Sequence, residues 1–281
     1  MDSLVDTDWL SQHLDDPDLV LLDCTVTTIP HEDGGFHNVS ARPEYELGHL
    51  PNAGFADLKG NLCDTHSPIE FALPTPEQFC RAMGALGVGD DSRVVLYDTN
   101  YTAWAARVWW TLRWVGFDRA AILNGGLAAW TAEGQPLSLE PATRPAKQLT
   151  PRPRPELIAD RDEVLASIDD EAVYLIDTFP EVYYRGDIAI YERAGHIPSA
   201  INIDTLQLLD KTGRFRPEHE LAAMHSLDRN TRIITYCGGG IAASANAFIM
   251  TRLGFTNVAV YTASLQEWAA DPAFPMVVDA P

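Results

Sequence analysis

A chain of 281 residues with 46% hydrophobic and 9% aromatic content can build two domains with real cores, which excludes a disordered chain. Its formal net charge of −20, with lysine only at Lys59, Lys147 and Lys211, opposes nucleic acid and anionic membrane surfaces as partners. No apolar run approaches the roughly 20 residues needed to cross a bilayer. The amino-terminal stretch Met1-Asp2-Ser3-Leu4-Val5-Asp6 lacks the basic and apolar regions of a secretory signal, so a cytoplasmic protein is expected.

Short apolar runs alternate with helical patterns, as in α/β domains built on mainly parallel sheets flanked by helices. In chain order, a strand is expected over 19–24, a helix over 76–86, a strand over 94–97, a helix over 103–115 and a strand over 120–123. Trp104, Trp109, Trp110 and Trp114 on the second helix suit packing against a sheet better than cofactor binding. A stretch with six prolines from Pro136 to Pro155 follows, and its composition is that of a linker. Beyond it come a helix over 160–167, a strand over 173–177, helices over 217–225 and 241–253, and strands over 233–236 and 258–261.

The second half repeats the first. Val20-Leu21-Leu22-Asp23-Cys24-Thr25 answers Val173-Tyr174-Leu175-Ile176-Asp177-Thr178, and Gly48-His49-Leu50-Pro51 answers Gly195-His196-Ile197-Pro198. Arg93-Val94-Val95-Leu96-Tyr97-Asp98 answers Arg232-Ile233-Ile234-Thr235-Tyr236-Cys237, and Gly125-Gly126-Leu127-Ala128-Ala129-Trp130 answers Ala263-Ser264-Leu265-Gln266-Glu267-Trp268. Four landmarks in one order imply two homologous domains. They are expected over 1–138 and 158–281, with a proline-rich linker over 139–157. His49 and His196 recur at matched turns, which argues for a structural role in both.

Cysteines are scattered at Cys24, Cys63, Cys80 and Cys237, with no C-x-x-C pair and no zinc-ligand spacing, so neither metal nor dithiol chemistry is expected. Cys237 alone has an informative setting. It ends an apolar strand and precedes Gly238-Gly239-Gly240, after which Ile241-Ala242-Ala243 opens a helix. A helix amino terminus offers unsatisfied N–H groups and a positive dipole end, and glycines let the backbone curl around an anionic sulfur. A cysteine at a strand end is commonly only a small buried hydrophobe. Gly238-x-Gly240-x-x-Ala243 also fits a loose dinucleotide fingerprint, but no acidic residue stands about twenty positions on, where Val258 and Ala259 lie.

In the first half Asp98 stands where Cys237 stands in the second, and Thr99-Asn100-Tyr101-Thr102-Ala103-Trp104 lacks the glycines of a tight cradle. An aspartate cannot carry a persulfide. The second domain is therefore expected to be catalytic, with the first helping to build the cleft.

With these motifs the whole chain resembles the tandem-domain rhodanese-type sulfurtransferases, which act on thiosulfate or 3-mercaptopyruvate. The resemblance implies two tandem rhodanese-like domains and no metal or organic cofactor. It implies that Cys237 takes the outer sulfur of a small anionic donor as a persulfide and passes it to cyanide, a thiol or a thioredoxin-like protein. Main-chain N–H groups of Gly238, Gly239, Gly240, Ile241 and Ala242 would bind the anionic groups. Arginines after the first strand of the catalytic domain bind the donor in the family, which points here to Arg185 and Arg193. The sequence departs from the family at Tyr183, where an arginine is common, and in the shortness of this stretch. Gly238 leans towards the mercaptopyruvate type, since thiosulfate enzymes often carry a basic residue after the cysteine. The loop hydroxyls usual in that type are replaced here by Gly239 and Ala242.

Two rivals are weighed. A cysteine phosphatase needs an arginine six positions after its nucleophile, and position 243 is alanine, with the next arginine at Arg252. A non-catalytic regulatory or protein-binding rhodanese-like module would have lost the cysteine loop, and the second half keeps it.

Overall fold

Strands form where the apolar runs stand, and each half builds one five-stranded parallel sheet. The computed structural model describes residues 1–30, 35–99 and 101–279. It divides into two units. The first comprises Met1–His66, Leu73–Arg154 and Asp210–Phe215; the second comprises Ser67–Ala72, Pro155–Leu209 and Arg216–Pro281.

In the first unit the strands are β1 (Leu4–Val5), β2 (Leu19–Asp23), β3 (Val26–Pro30), β4 (Phe36–Ser40), β5 (Ala53–Phe55), β6 (Arg93–Tyr97) and β7 (Ala120–Leu123). The sheet order is β1-β7-β6-β2-β5, and β3 pairs with β4 as a separate antiparallel ribbon. In the second unit they are β8 (Ile158–Ala159), β9 (Val173–Asp177), β10 (Ile201–Asn202), β11 (Arg232–Tyr236) and β12 (Val258–Tyr261), in the order β10-β9-β11-β12-β8. Read from the opposite edge, that order is the first unit's. β2 is buried along its whole length, as a parallel strand covered on both faces must be.

The repeat extends to single hydrogen bonds. Tyr97 Oη accepts from the Leu50 N–H (3.2 Å), and Tyr236 Oη accepts from the Ile197 N–H (3.0 Å). Trp130 and Trp268, both fully buried, donate from Nε1 to Pro136 O (2.8 Å) and Pro275 O (2.9 Å). His49 and His196 each use Nδ1 on a carbonyl (Tyr45 and Tyr184, 2.7 Å each) and stack on that residue's ring. They fasten turns, as their recurrence suggests. Trp104, Trp109 and Trp110 are buried, and Trp109 Nε1 donates to Ala120 O on β7 (3.0 Å).

Two features escaped the sequence. Strands of two or three residues, such as β1, β5, β8 and β10, are too short to carry a periodicity. The proline-rich stretch, up to Arg154, counts with the first unit. Its non-proline residues donate to that unit's carbonyls: Lys147 N to Gly84 O (3.0 Å), Arg152 N to Val115 O (2.8 Å) and Arg154 N to Trp114 O (2.7 Å).

Candidate active site

In the second unit the chain reverses between β9 and β11: β9 leads to β10 on one side, and β11 leads to β12 on the other. Beyond the carboxyl ends of strands at such a reversal, helix amino termini diverge and leave room for a ligand. Cys237 directly follows β11. Ile233 and Ile234 are fully buried, and the helix Ile241–Arg252 that follows is buried nearly all round. Small residues (Ala243, Ser244, Ala245, Ala247) let that helix pack tightly. The turn between strand and helix is thereby fixed from both ends.

The three glycines serve two needs. Gly240 has φ +76°, a left-handed conformation that favours glycine and starts the helix at once. Gly238 and Gly239 are required by close approach instead. A Cβ at Gly238 would overlap the Tyr191 hydroxyl and stand 2.8 Å from the Phe179 ring, and one at Gly239 would overlap the Gln266 amide. An aromatic wall and a glutamine side chain therefore bracket the loop. Gln266 is held in turn by the Glu70 N–H on Oε1 (2.8 Å) and by its own N–H on Gly238 O (3.0 Å).

Cys237 is 2% exposed, and its main chain is held on both sides. Its N–H donates to Ser264 Oγ (3.1 Å), and its carbonyl accepts from Leu265 N (3.1 Å). Ser264 adopts φ +53°, a strained conformation for a residue with a Cβ. Its hydroxyl passes the bond on to Tyr261 O (2.6 Å). Among the described residues, no acceptor in the chain takes the N–H groups of Gly238 through Ala243. Buried donors of this kind carry a desolvation cost that an anion relieves.

The first unit shows what such a loop binds. Asp98, 3% exposed, follows β6 as Cys237 follows β11. Its Oδ1 accepts from Thr102 N (3.1 Å) and its Oδ2 from Ala105 N (2.9 Å), at the start of the helix Ala103–Trp114. Its carbonyl accepts from Leu127 N (3.1 Å), the counterpart of the Leu265 bond. A carboxylate thus lies where the sulfur lies in the second unit. Within the segment expected to lack a glycine cradle, Asn100 lies outside the described residues.

The two candidate arginines fare differently. Arg193 is engaged by main-chain carbonyls. Its Nε donates to Ala269 O (2.9 Å), Nη1 to Phe274 O (2.6 Å), and Nη2 to Trp268 O (2.6 Å) and Asp271 O (2.7 Å). Four of its five N–H groups therefore close the carboxyl end of the helix Ser264–Trp268. Two residues before Gly195-His196, it is a structural clasp, and nothing in its sequence setting distinguishes that from a ligand site. Arg185 is half-exposed and lies 3.6 Å from Asp187; no hydrogen bond ties it to the Cys237 loop among the described residues.

Sequence reading passed over Tyr191, Phe179, Ser264 and Gln266. Ser264 was signalled by the repeat, since it replaces Gly126, which has the same φ of +53°. Next to Tyr236 in register stands Asp177, whose Oδ1 accepts from Phe179 N (2.8 Å). Burial pushes this carboxyl up to about 7, against the pull of the Phe179 N–H and the Tyr236 hydroxyl. The remaining thiols are disfavoured as thiolates. Burial raises Cys24, helped by Asp23 and Asp98, raises Cys63, and pushes Cys80 up to about 11. No group of three or more metal-ligating side chains occurs among the described residues.

The family description "Rhodanese-like domain" matches residues 6–133 and again 160–271. The chain is 31% identical over 278 residues to the 3-mercaptopyruvate sulfurtransferase of Escherichia coli K12, covering 97% of this chain and 96% of that one. It is 30% identical to the thiosulfate sulfurtransferase of Rattus norvegicus, covering 95% and 91% respectively. The crystal structure of SseA from Escherichia coli, described as a 3-mercaptopyruvate sulfotransferase with the rhodanese fold, superposes with a TM-score of 0.83 at 30% identity, over 94% of this chain and 99% of that one. Two matched sheets, two matched segments and relatives aligned over almost their full length lead to one conclusion: the chain belongs to the rhodanese family, with two rhodanese-like domains in tandem.

Proposed function

We propose that this protein is a sulfurtransferase in which Cys237 takes the outer sulfur of thiosulfate or 3-mercaptopyruvate as a persulfide and hands it to cyanide or a thiol. The observation that carries the reading is the unpaired run of main-chain N–H groups beside Cys237, in the position where the first unit seats the Asp98 carboxylate. Such donors stabilise a persulfide anion and the charge that develops as it forms, the logic of an oxyanion hole. Gly238 supports a mercaptopyruvate preference, because Tyr191 and Phe179 leave no room there for the basic side chain associated with thiosulfate enzymes. Arg185 is the arginine proposed to anchor the donor's anionic group.

A reduced protein thiol of the thioredoxin class is a fitting physiological acceptor, and a cytoplasmic location suits both that acceptor and the four unpaired cysteines. No helix among the described residues is long and apolar enough to cross a membrane.

Steady-state assays with each donor test the reading, following thiocyanate release with cyanide and pyruvate release with mercaptopyruvate. Turnover with at least one donor is expected, with kcat/KM favouring mercaptopyruvate. Arg185→Ala should raise the donor's KM about tenfold while leaving the transfer from persulfide to cyanide unchanged. Equal losses in both half-reactions would remove Arg185 from donor binding.

A further inference from the structure

One side-chain hydroxyl at the loop has no assignment. Other hydroxyls packed on this strand, loop and helix have partners: Ser244 donates to Gly240 O (2.6 Å), Ser264 to Tyr261 O (2.6 Å), Thr205 to Ala242 O (3.1 Å), Thr235 to Ala243 O (3.1 Å) and Thr178 to Tyr236 O (3.0 Å), while Tyr236 Oη accepts from the Ile197 N–H (3.0 Å). Tyr191 differs. Its Oη packs on Gly238, the residue next to Cys237, and has no hydrogen-bond partner among the described residues. The ring is mostly buried and stacked on Phe179 (centroids 6.5 Å, planes at 29°), and Phe179 is edge-on to Tyr183 (5.7 Å). The phenol is thus held against Gly238, one residue after Cys237, with its donor unspent. Burial first, then negative charge at Cys237, raises it above its ordinary 10, so it stays an O–H donor across the working pH range.

The two donors differ in what they need when sulfur departs. Thiosulfate gives up its outer sulfur and leaves as sulfite, an anion already stable in water. A 2-oxo-3-thiol acid such as 3-mercaptopyruvate does not. Cys237 sulfur bonds to the donor sulfur, the donor's carbon–sulfur bond breaks, and its electron pair stays on the three-carbon fragment as the enolate of pyruvate. The charge of the donor thiolate remains on the outer persulfide sulfur. The enolate then takes one proton from water to give pyruvate, and no outside oxidant or reductant is required. An enolate oxygen forming in a buried site demands a hydrogen-bond donor. Resting on the persulfide reading above, we infer that the Tyr191 hydroxyl is that donor, a catalytic residue specific to 2-oxo-3-thiol acids and dispensable for thiosulfate.

Tyr191→Phe keeps the ring and its stacking and removes only the hydroxyl. The test is the single-turnover rate of Cys237 persulfide formation in wild type and variant, with 3-mercaptopyruvate and with thiosulfate. The rate with mercaptopyruvate should fall by about 10²-fold, while that with thiosulfate changes by less than about threefold. Equal losses with both donors would make Tyr191 a structural support, and no loss with mercaptopyruvate would make it a bystander; either overturns the inference. Wild type that loads from thiosulfate but not mercaptopyruvate also overturns it, yet leaves the persulfide reading standing. Failure of wild type to load from either donor sinks that reading itself.

Discussion

At the scale of single residues, the glycines beside Cys237 have separable reasons to be glycine, and substitution distinguishes them. Gly238→Ala pushes a methyl into Tyr191 and Phe179, rings fixed by one another, so the loop itself must shift. We expect a stability loss of about 1–3 kcal/mol in denaturant titration, with persulfide formation falling further than stability alone explains. Gly239→Ala meets the Gln266 amide and must displace it from the Glu70 main chain, a single side chain rather than a pair of stacked rings, and should cost less. Arg193 makes the opposite case, a charged residue whose guanidinium is turned onto main-chain carbonyls, and we expect its work to be structural. Arg193→Ala removes the donor to the Trp268, Ala269 and Phe274 carbonyls and one of two donors to Asp271 O, and Arg193→Lys cannot restore them, because an ammonium lacks the planar fork. Both variants should lose about 2–4 kcal/mol of stability while the donor KM of the folded fraction stays unchanged. A raised KM at full stability would return Arg193 to the substrate site.

At the scale of elements, β9 and β11 lie side by side, and the carboxyl of Asp177 is buried against Tyr236 at their ends. Its raised value fixes the sign of its linkage to folding. The unfolded chain binds this proton only below about 3.8, whereas the folded chain holds it to about 7. The stabilising contribution is therefore complete below the unfolded value and is lost as pH rises from about 4 through 7. The full shift corresponds to a loss of about 4 kcal/mol at most. Asp23, its counterpart in the first unit, is raised by burial with the same sign. Asp177→Asn should flatten the stability profile over this window and make the variant relatively more stable at pH 8 than at pH 4. Urea titrations of both proteins across that range measure it, and a parallel pair of profiles would contradict the account.

At the scale of the whole molecule, one fold occurs twice and has been put to two uses. Asp98 supplies its own anion to the helix amino terminus, while Cys237 leaves the equivalent donors unpaired. Much of this was legible in the chain. Repeated landmarks announced two α/β units, and long apolar runs placed β2, β6, β9, β11 and β12 to within a residue or so. Cys237 stood out because a strand, three glycines and a helix start leave a local signature. Tyr191 and Gln266 left none, since they reach the loop from 46 and 29 residues away through tertiary packing. The surroundings of Arg193 were hidden for the same reason: its charge is visible in a sequence, but the carbonyls it meets are not.

The central claim is that one sulfur atom, that of Cys237, carries the transferred sulfur. Peptide-resolved mass spectrometry of protein incubated with either donor, trapped without reductant, tests it most directly. The account predicts one added sulfur on the Cys237 peptide, removed by cyanide and absent from Cys237→Ser, with Cys24, Cys63 and Cys80 unmodified. Sulfur on one of those three instead, or full uptake by Cys237→Ser, would contradict it.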